Sequence, residues 1–583
     1  MKNYIKKGLL ALTAAGVLSS CSSSYLDQPP IDQVSDYQIG ESIEAARAAL
    51  YGTCQVMYFG LYREYDRYAN GEAYFQTYYG DSPSQDACFT WLYGYQPQAQ
   101  LWPQMSMDNR TPAAYAWMYG YLLLNQCNTI LKYIDNNTEN VDQRDFIKAQ
   151  TLTIRAHAYI RLMQVYGPRY EDSKNGQELC FILRDEPGTE ALPLSTYEDC
   201  MKQIYSDLDE AIGYYTGTAA GVSRSNGFEP DLSIAQGLYS RIALINHDWQ
   251  KAYDMAKAAR ASYPIMSADD FKKGFADPNG EWMWYNDPSP DWNGYHSWGA
   301  SFTANGDYAT AYDWAGSGAI SYKLYKEMYD KHPNDIRLEL FFTPEVANKY
   351  VDFKIKPEDF WDTKYIFKDR MTTFGTNQNM SAAAQLWIQH NTPEGFSGGY
   401  SLNTLLSDAD AGNAIRRSTW YKNASKAVDG TRVPFGGQAK FWSYTEDMGA
   451  SQHPFLRGAE MLLNQAEAAI ELGNLSEAKT LLEELNSKRI EGYTCTASSK
   501  EDVQDEVRKY RRLELWGEGD NWFSFKRWNI PCVREIWVEG DTSSNNWVDA
   551  YKGTYETSYG NGWRFVIPYA ETSYNDLVKD QLK

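Results

Sequence analysis

Residues 501–528, EDVQDEVRKYRRLELWGEGDNWFSFKRW, carry the strongest structural signal in the sequence. Apolar residues recur every three or four positions in the first half, which predicts a helix with one buried face. The apolar positions are Val503, Val507, Tyr510 and Leu513. Ser498 and Ser499 precede this helix, with Glu501 and Asp502 three residues further on, which is the spacing of a capping box. Gly517 and Gly519 predict its end, and a dense aromatic segment follows, with Trp522, Phe523, Phe525 and Trp528.

Paired charges crowd the same stretch and raise the question of an active site. Arg511 precedes Glu514 by about one helical turn, a spacing that suits an ion pair along one helix.

Helical periodicity recurs along the chain in pairs of segments. The predicted helices cover residues 113–134, 142–166, 231–246, 248–262, 455–472 and 475–489, and another follows a capping-box match at Ser195 to Glu198. Small residues lie where a tetratricopeptide repeat needs close helix packing: Ala252, Ala256, Ala466, Ala469 and Ala478. The alternative is a set of generic helical hairpins. In either case stacked pairs bury a continuous core, so we expect a mainly α fold built on tetratricopeptide-like helix pairs.

The chain between the two groups of helices has a different composition. Periodicity fades over residues 264–454, where Gly, Asn, Asp and Pro are frequent and short β-like pieces such as residues 364–367 occur. A long irregular segment in a compact domain is usually functional or disordered, and its aromatic content argues against disorder. We also predict a short strand at residues 563–568.

The N-terminus has the pattern of an export signal. Lys2, Lys6 and Lys7 precede an apolar run, residues 8–18, that is too short to span a hydrocarbon core of ~30 Å. The run ends in Leu-Ser-Ser-Cys, which resembles a bacterial lipobox and implies lipid on Cys21; the alternative is an ordinary secretory signal. We therefore divide the chain into a signal peptide, residues 1–20, and one domain, residues 21–583. Within that domain lie an N-terminal helical part (31–263), an irregular insertion (264–454) and a C-terminal helical part with a tail (455–583).

Composition limits the partners. The formal net charge of −21 offers no basic stripe for phosphates, so we expect no nucleic-acid partner. The cysteines other than Cys21 include no CxxC pair, and we interpret them as mostly buried thiols, with any disulfide left open. Aromatic residues make up 15% of the chain, including 19 Trp and 46 Tyr, more amphipathic rings than a core alone requires.

Several motifs together resemble the SusD-like (SusD/RagB) outer-membrane nutrient-binding lipoproteins of Bacteroidota. After the lipobox, Tyr25-Leu26-Asp27 is similar to the start of the mature family sequence. The motifs RAHAY (155–159), RGAE (457–460) and RRLEL (511–515) are similar to family helices, and Ile567-Pro568 with Glu571 is similar to its closing motif. The chain departs from the family at Asp520-Asn521, where His-Arg is usual, at Ser524, where Asp is usual, and after Cys21, where the acidic surface-export signal is missing.

The resemblance implies a function and a location. A member of the family would be lipid-anchored at the outer membrane, exposed at the cell surface, and would deliver oligo- or polysaccharide to a SusC-like TonB-dependent transporter, without a cofactor. It also implies that residues 501–528 are architectural, with Trp522 and Phe523 fixing the last segment of the chain onto the helices.

Two aromatic clusters are the candidate glycan-binding residues, because rings stack on sugar faces while amides and carboxylates bind hydroxyls. The candidates are Trp292, Asn293, Tyr295, Trp298 and Trp314 in the insertion, with Trp91 and Tyr93 in the loop where relatives often place a stacking ring. For any single ring the alternative is loop packing, and we expect Trp282 and Trp284 to be core residues.

Two other functions stay open. The same architecture could bind peptides for import, and a secreted glycoside hydrolase is the third hypothesis. We expect no enzymatic activity, because the 6 His show no metal-ligand spacing and no nucleophile elbow occurs.

Overall fold

α-Helices form the framework of the protein. The computed structural model describes residues 36–58, 71–88, 102–273, 275, 278–286, 319–343, 437–438, 440–441, 452–534, 553–555 and 562–583. In chain order the helices are α1 (Ile43–Tyr58), α2 (Gly71–Phe75), α3 (Thr111–Ile134), α4 (Val141–Tyr166), α5 (Tyr197–Thr216), α6 (Leu232–Ile245), α7 (Trp249–Ala259), α8 (Ala268–Lys273), α9 (Tyr322–Lys331), α10 (Gly458–Glu471), α11 (Leu475–Asn486), α12 (Lys500–Glu514), α13 (Asn521–Trp528), α14 (Tyr569–Tyr574) and α15 (Asp576–Gln581). A π-helical turn, Gln76–Asp81, continues α2.

Helix α12 begins and ends as its sequence predicts. The Asp502 amide donates to Ser499 Oγ (3.1 Å) and the Ser499 amide donates to Asp502 Oδ2 (3.4 Å), which completes the capping box. Gly517 and Gly519 follow the helix with φ of +78° and +79°, a conformation that favours glycine. The predicted helix and its end are both confirmed.

The cap of α5 is one residue later than the predicted Ser195. The Thr196 hydroxyl accepts from the Asp199 amide (3.2 Å). Ser195 does not cap because its backbone pairs with an extended segment: its amide donates to Phe181 O and its carbonyl accepts from the Cys180 amide. Long-range pairing thus overrides the local capping-box match.

The helices stack in sequence order into one layered array. Neighbouring members of the series α3 to α7 pack on each other, α7 packs on α10 across the insertion, and α10 packs on α11 and α12. Ala252 and Ala256 in α7, Ala466 in α10 and Ala478 in α11 are fully buried, as close helix approach requires. The mainly α fold of stacked helix pairs is confirmed, whereas the domain boundaries stay a prediction.

Within the described residues, short strands form three antiparallel sheets. The largest has the order β1 (Ala87–Cys88), β3 (Ala319–Ile320), β5 (Gly437–Gln438), β4 (Phe341–Phe342); β2 (Trp282–Tyr285) pairs with β6 (Pro454–Arg457), and β7 (Cys532–Arg534) pairs with β8 (Gly553–Tyr555). The strand predicted at residues 364–367 lies outside the described residues.

The strand predicted at residues 563–568 is wrong. The segment forms no strand, and its amides bond to two separate pieces of chain: Phe565 N donates to Val165 O (3.0 Å) at the end of α4, and Val566 N donates to Met105 O (2.9 Å). Because neither partner is a strand, no ladder forms.

The charges of residues 501–528 pair differently from the prediction. Arg511 and Glu514 are both buried, but Arg511 donates to Asp520 (2.8 and 2.5 Å). Glu514 accepts instead from Arg489, Arg457 and Arg337, at 3.0 to 3.3 Å. The Arg511–Glu514 pair is therefore wrong, because guanidinium groups from elements distant in sequence reach Glu514.

The aromatic segment fixes the tail as predicted. The Trp522 ring, fully buried on α13, lies 6.1 Å from the Trp563 ring and 5.9 Å from the Phe565 ring, centroid to centroid. The Phe523 side chain is buried beside it. This contact confirms the architectural interpretation of the stretch.

Candidate functional site

The predicted ligand-binding residues lie outside the described residues. Trp91 and Tyr93 fall within residues 89–101, and the other candidates fall within residues 287–318: Trp292, Asn293, Tyr295, Trp298 and Trp314. Cys21, the predicted lipidation site, lies in residues 1–35, also outside them. These assignments stay predictions.

The strands that flank the two aromatic segments are neighbours in one sheet. Cys88 of β1 pairs with Ala319 of β3, and Ala87 pairs with Ile320, in antiparallel register. Antiparallel neighbours run in opposite directions. The chain that leaves β1 toward Trp91 and the chain that enters β3 after Trp314 therefore join the sheet at the same end. Sequence reasoning treated the two clusters separately, and no local pattern joins them.

A buried hydrogen-bond chain links the start of the second aromatic segment to the turn that leads into β1. The Asn286 amide donates to His453 O (3.2 Å), and His453 Nε2 lies 2.6 Å from Oε1 of Gln76, the first residue of the π-helical turn. Burial lowers the pKa of His453 to about 3, so the ring is neutral near pH 7. Because an amide oxygen only accepts, Nε2 carries the proton in this bond.

Trp282 and Trp284 are core residues, as predicted. Their side chains, in β2, are 2% and 1% exposed, and Trp284 Nε1 donates to Phe228 O (2.8 Å). The pair is thus excluded from ligand contact.

Helix α12 and the turn that follows it hold two strands of the largest sheet. Arg512 donates to both oxygens of Asp86 (2.8 and 2.5 Å), directly before β1. Lys440, just after β5, is buried and donates to Glu514 O, Trp516 O and Glu518 Oε1 at 2.5 to 2.9 Å. The stretch that resembled an active site is therefore the support of the sheet.

The Glu514 carboxylate within that support is closed to solvent. Burial opposes ionisation of Glu514, yet the three surrounding arginines lower its pKa. Its carboxylate is fully buried and accepts from Arg489, Arg457 and Arg337. A carboxylate saturated in this way stabilises the fold and has no route to a substrate.

A second buried polar cluster surrounds Glu72 and includes His157 of the RAHAY motif. His157 Nε2 is 3.0 Å from Glu72 Oε2, Tyr119 donates to the same oxygen (2.9 Å), and Arg161 Nε donates to Glu72 Oε1 (2.9 Å). Burial opposes ionisation of Glu72, but Arg161 and His157 lower its pKa. Nothing in the local sequence around Glu72 indicated this cluster, although the motif on α4 could have drawn attention to His157.

The described residues also bear on whether the protein has a metal site or a membrane-spanning helix. Within the described ranges, no cluster of His, Cys, Asp and Glu has the arrangement of a metal site. The helices in the same ranges include none with the length and apolarity of a membrane span.

The fold defines a mainly α protein of stacked helix pairs, in which a small antiparallel sheet bears the ends of two aromatic-rich segments. A family model described as “SusD family” matches residues 280–578, and one described as “Starch-binding associating with outer membrane” matches residues 31–224. The first match covers half of the sequence, and the chain belongs to the SusD family. No curated protein matches the chain.

Solved structures share this fold at low sequence identity. A SusD-like carbohydrate binding protein from Bacteroides vulgatus superposes with a TM-score of 0.68 at 18% identity, covering 92% of this chain and 98% of its own. A SusD superfamily protein from Bacteroides thetaiotaomicron gives 0.64 at 19% identity, with coverage of 92% and 99%. A SusD-like carbohydrate binding protein from Bacteroides fragilis gives 0.57 at 16% identity, with coverage of 93% and 100%. At these identities the similarity establishes the fold.

Proposed function

We propose that the protein is a cell-surface lipoprotein that binds oligo- or polysaccharide and delivers it to a SusC-like TonB-dependent transporter of the outer membrane. The observation that supports this most is the pairing of β1 with β3 in a member of the SusD family. It attaches the segment of Trp91 and Tyr93 and the segment of Trp292 to Trp314 to one end of one sheet. Two ring-bearing segments that meet the same end of one sheet, one leaving it and one entering it, can form a common surface.

The chemistry of those segments suits a glycan. Tyr and Trp combine a flat apolar face with a polar edge, so they stack on the C–H faces of pyranose rings. Asn293 and the neighbouring carboxylates provide acceptors and donors for hydroxyl groups. The matched family described as starch-binding and the carbohydrate-binding proteins of the same fold point to the same ligand class.

The remaining parts of the proposal concern location and partner. Lipid on Cys21 would anchor the chain, since two or more acyl chains hold a protein stably at a membrane. The scaffold would present the ligand to the transporter, whose TonB coupling supplies the energy. No catalytic role is proposed, and no cofactor is required.

Calorimetric titration of the full-length protein with a glycan panel tests the binding. Trp292→Ala and Trp298→Ala each remove a predicted stacking ring. By analogy with the stacking of nucleic-acid bases on aromatic rings, worth ~1–3 kcal/mol per base, we expect affinity to fall about 5- to 150-fold. Trp249→Ala is the matched control, because Trp249 is half-buried on α7 in the helical scaffold.

The outcomes separate the hypotheses. A peptide panel run in parallel would identify the peptide-binding alternative if peptides bind and glycans do not. Release of reducing ends from a polysaccharide would identify the hydrolase. Equal effects of Trp292→Ala and Trp249→Ala would contradict the assignment of the ligand surface. Co-purification of the tagged protein with a TonB-dependent barrel, lost on Cys21→Ala if anchoring is required, tests the partner.

A further inference from the structure

A cleft of about 590 Å³ lies between the end of α4, the extended segment that follows it and the C-terminal residues of the chain. Three regions distant in sequence line it, represented by Asp108, Glu178 and Arg564. Small-molecule sites usually measure ~300–1,000 Å³, so the cleft has the size of such a site. It is built of scaffold residues and shares none with the predicted aromatic surface.

The walls of the cleft are fixed before any ligand arrives. Val566 N donates to Met105 O and Tyr569 N donates to Asp108 O, both at 2.9 Å, which attaches the tail to the first wall. Gln581 exchanges two hydrogen bonds with the Leu194 backbone, at 2.7 and 3.1 Å, which attaches α15 to the second. A preformed site binds without the cost of ordering its walls.

Opposite charges in the cleft neutralise each other. Arg564 Nη2 lies 3.1 Å from Glu178 Oε1, and Lys174 forms an ion pair with the same carboxylate at 2.5 Å. Asp108 adds a second negative group to the lining. An anion such as phosphate would be repelled by the two carboxylates, and a cation would be repelled by Arg564 and Lys174. The cleft therefore favours a neutral ligand.

The other lining groups suit hydroxyls and an apolar face. Ser106, Gln177 and Thr572 provide neutral donors and acceptors, while Tyr166 and Phe565, each 2% exposed, contribute the apolar floor. Tyr569, whose amide bonds to Asp108, is 59% exposed and offers a ring at the same end of the tail. A polyhydroxylated ring compound uses both kinds of surface.

We propose that this cleft is a second binding site for a neutral saccharide, separate from the surface that carries Trp292. The inference rests on the proposed glycan-binding function. It adds a site on the helical scaffold. This site would bind either another part of the saccharide held by the aromatic segments or a second saccharide molecule.

The test is calorimetric titration of the full-length protein with maltoheptaose, chosen because of the starch-binding family match. Thr572→Trp places an indole in the cleft, whereas Ala570→Trp adds the same side chain at an exposed position of α14 that does not line it. We expect two sites per molecule in the wild type and in Ala570→Trp, and one site in Thr572→Trp. Circular dichroism and the melting temperature confirm that both variants fold. Gln177→Ala, at an exposed position of the lining, should weaken the same site several-fold and replaces Thr572→Trp if that variant fails to fold.

The outcomes distinguish this inference from the proposed function. If Thr572→Trp and Gln177→Ala titrate like the wild type while Trp292→Ala loses binding, the cleft is not a site and the proposed function stands. If Thr572→Trp removes a site that Trp292→Ala and Trp298→Ala leave intact, the inference is upheld. If maltoheptaose and the wider glycan panel do not bind the wild type, the proposed function and the inference are both overturned.

Discussion

Replacing Glu514 by Gln should destabilise the protein strongly, because Glu514 is the acceptor shared by three buried arginines. Arg489 donates to it twice, at 3.1 and 3.0 Å, Arg457 at 3.0 Å and Arg337 at 3.3 Å. The carboxylate and all three guanidinium groups are at most 1% exposed. Gln has the same size but no charge, and its amide nitrogen would face guanidinium donors.

The structure indicates which of the three arginines loses most of its ionic partners in Glu514→Gln. Arg457 keeps Glu281 (2.7 Å) and Glu518 (2.6 Å) as partners, and Arg337 keeps Asp335 (2.8 Å). Among the described residues, the nearest other carboxylate to Arg489 is Glu281, at 3.9 Å. Removing one member of a buried ion pair costs ~3–5 kcal/mol, since the partner charge stays buried. We expect the free energy of unfolding to fall by that amount.

Urea unfolding followed by circular dichroism measures the change from the shift in midpoint. Glu484→Gln is the matched control, because Glu484 accepts from Arg260 at 2.7 and 3.0 Å yet its side chain is 44% exposed. An exposed pair of this kind contributes ~0–1 kcal/mol. If both variants shift the midpoint equally, the argument that burial makes the Glu514 cluster essential is refuted.

Three further substitutions test other parts of the framework. Burial opposes ionisation of Glu467, but the Arg527 guanidinium lowers the pKa of Glu467 from 4.5 to about 2. The lowered pKa contributes ~3 kcal/mol to the free energy of unfolding. This contribution is present above pH 4.5 and is lost as the pH falls toward 2. Glu467→Gln should therefore flatten the decline of the urea midpoint between pH 5 and pH 3, and an unchanged decline would contradict the assignment. Trp522→Ala should cost ~3–5 kcal/mol by leaving a cavity in the core and lower the melting temperature while glycan affinity measured by calorimetry is retained; a stable variant without binding would reverse that interpretation. Gly80→Ala should prevent accumulation of folded protein, as judged by yield and gel filtration, because its Cβ would clash with the Gly519 backbone, whereas Gly52→Ala, with open space around the added methyl, should fold normally.

The sequence predicted those parts of the fold that local chemistry determines. The ends of α12 followed from Ser499, Asp502 and the two glycines, since a cap and a left-handed glycine act within a few residues. The wrong predictions, which concern the Ser195 cap, the Arg511–Glu514 pair and the strand at residues 563–568, each failed because a distant segment decided the outcome. Arg511 pairs with Asp520, although its spacing to Glu514 suited an ion pair, because three arginines from elsewhere in the chain occupy the Glu514 carboxylate.

The candidate site shows the same division. Composition alone indicated the ring-rich segments, and position between Pro, Gly and Asp separated Trp292 from Trp282. The two segments join the same end of one sheet because β1 pairs with β3, although these strands are far apart in the sequence. Two-residue strands such as Ala87–Cys88 are too short to produce a period in the sequence. Their partners are therefore evident only in the folded chain.

The buried charges and the aromatic segments then have complementary roles. Arg512 fixes Asp86 before β1, and Lys440 fixes the chain after β5 to the turn that follows α12. A buried ion pair tolerates few substitutions because each leaves an unpaired charge, so the places where the segments leave the sheet are held constant. Under the proposed function, the rings beyond those strands can then change while the scaffold is kept. One helical framework would then present surfaces for different sugars, as the proposed function requires.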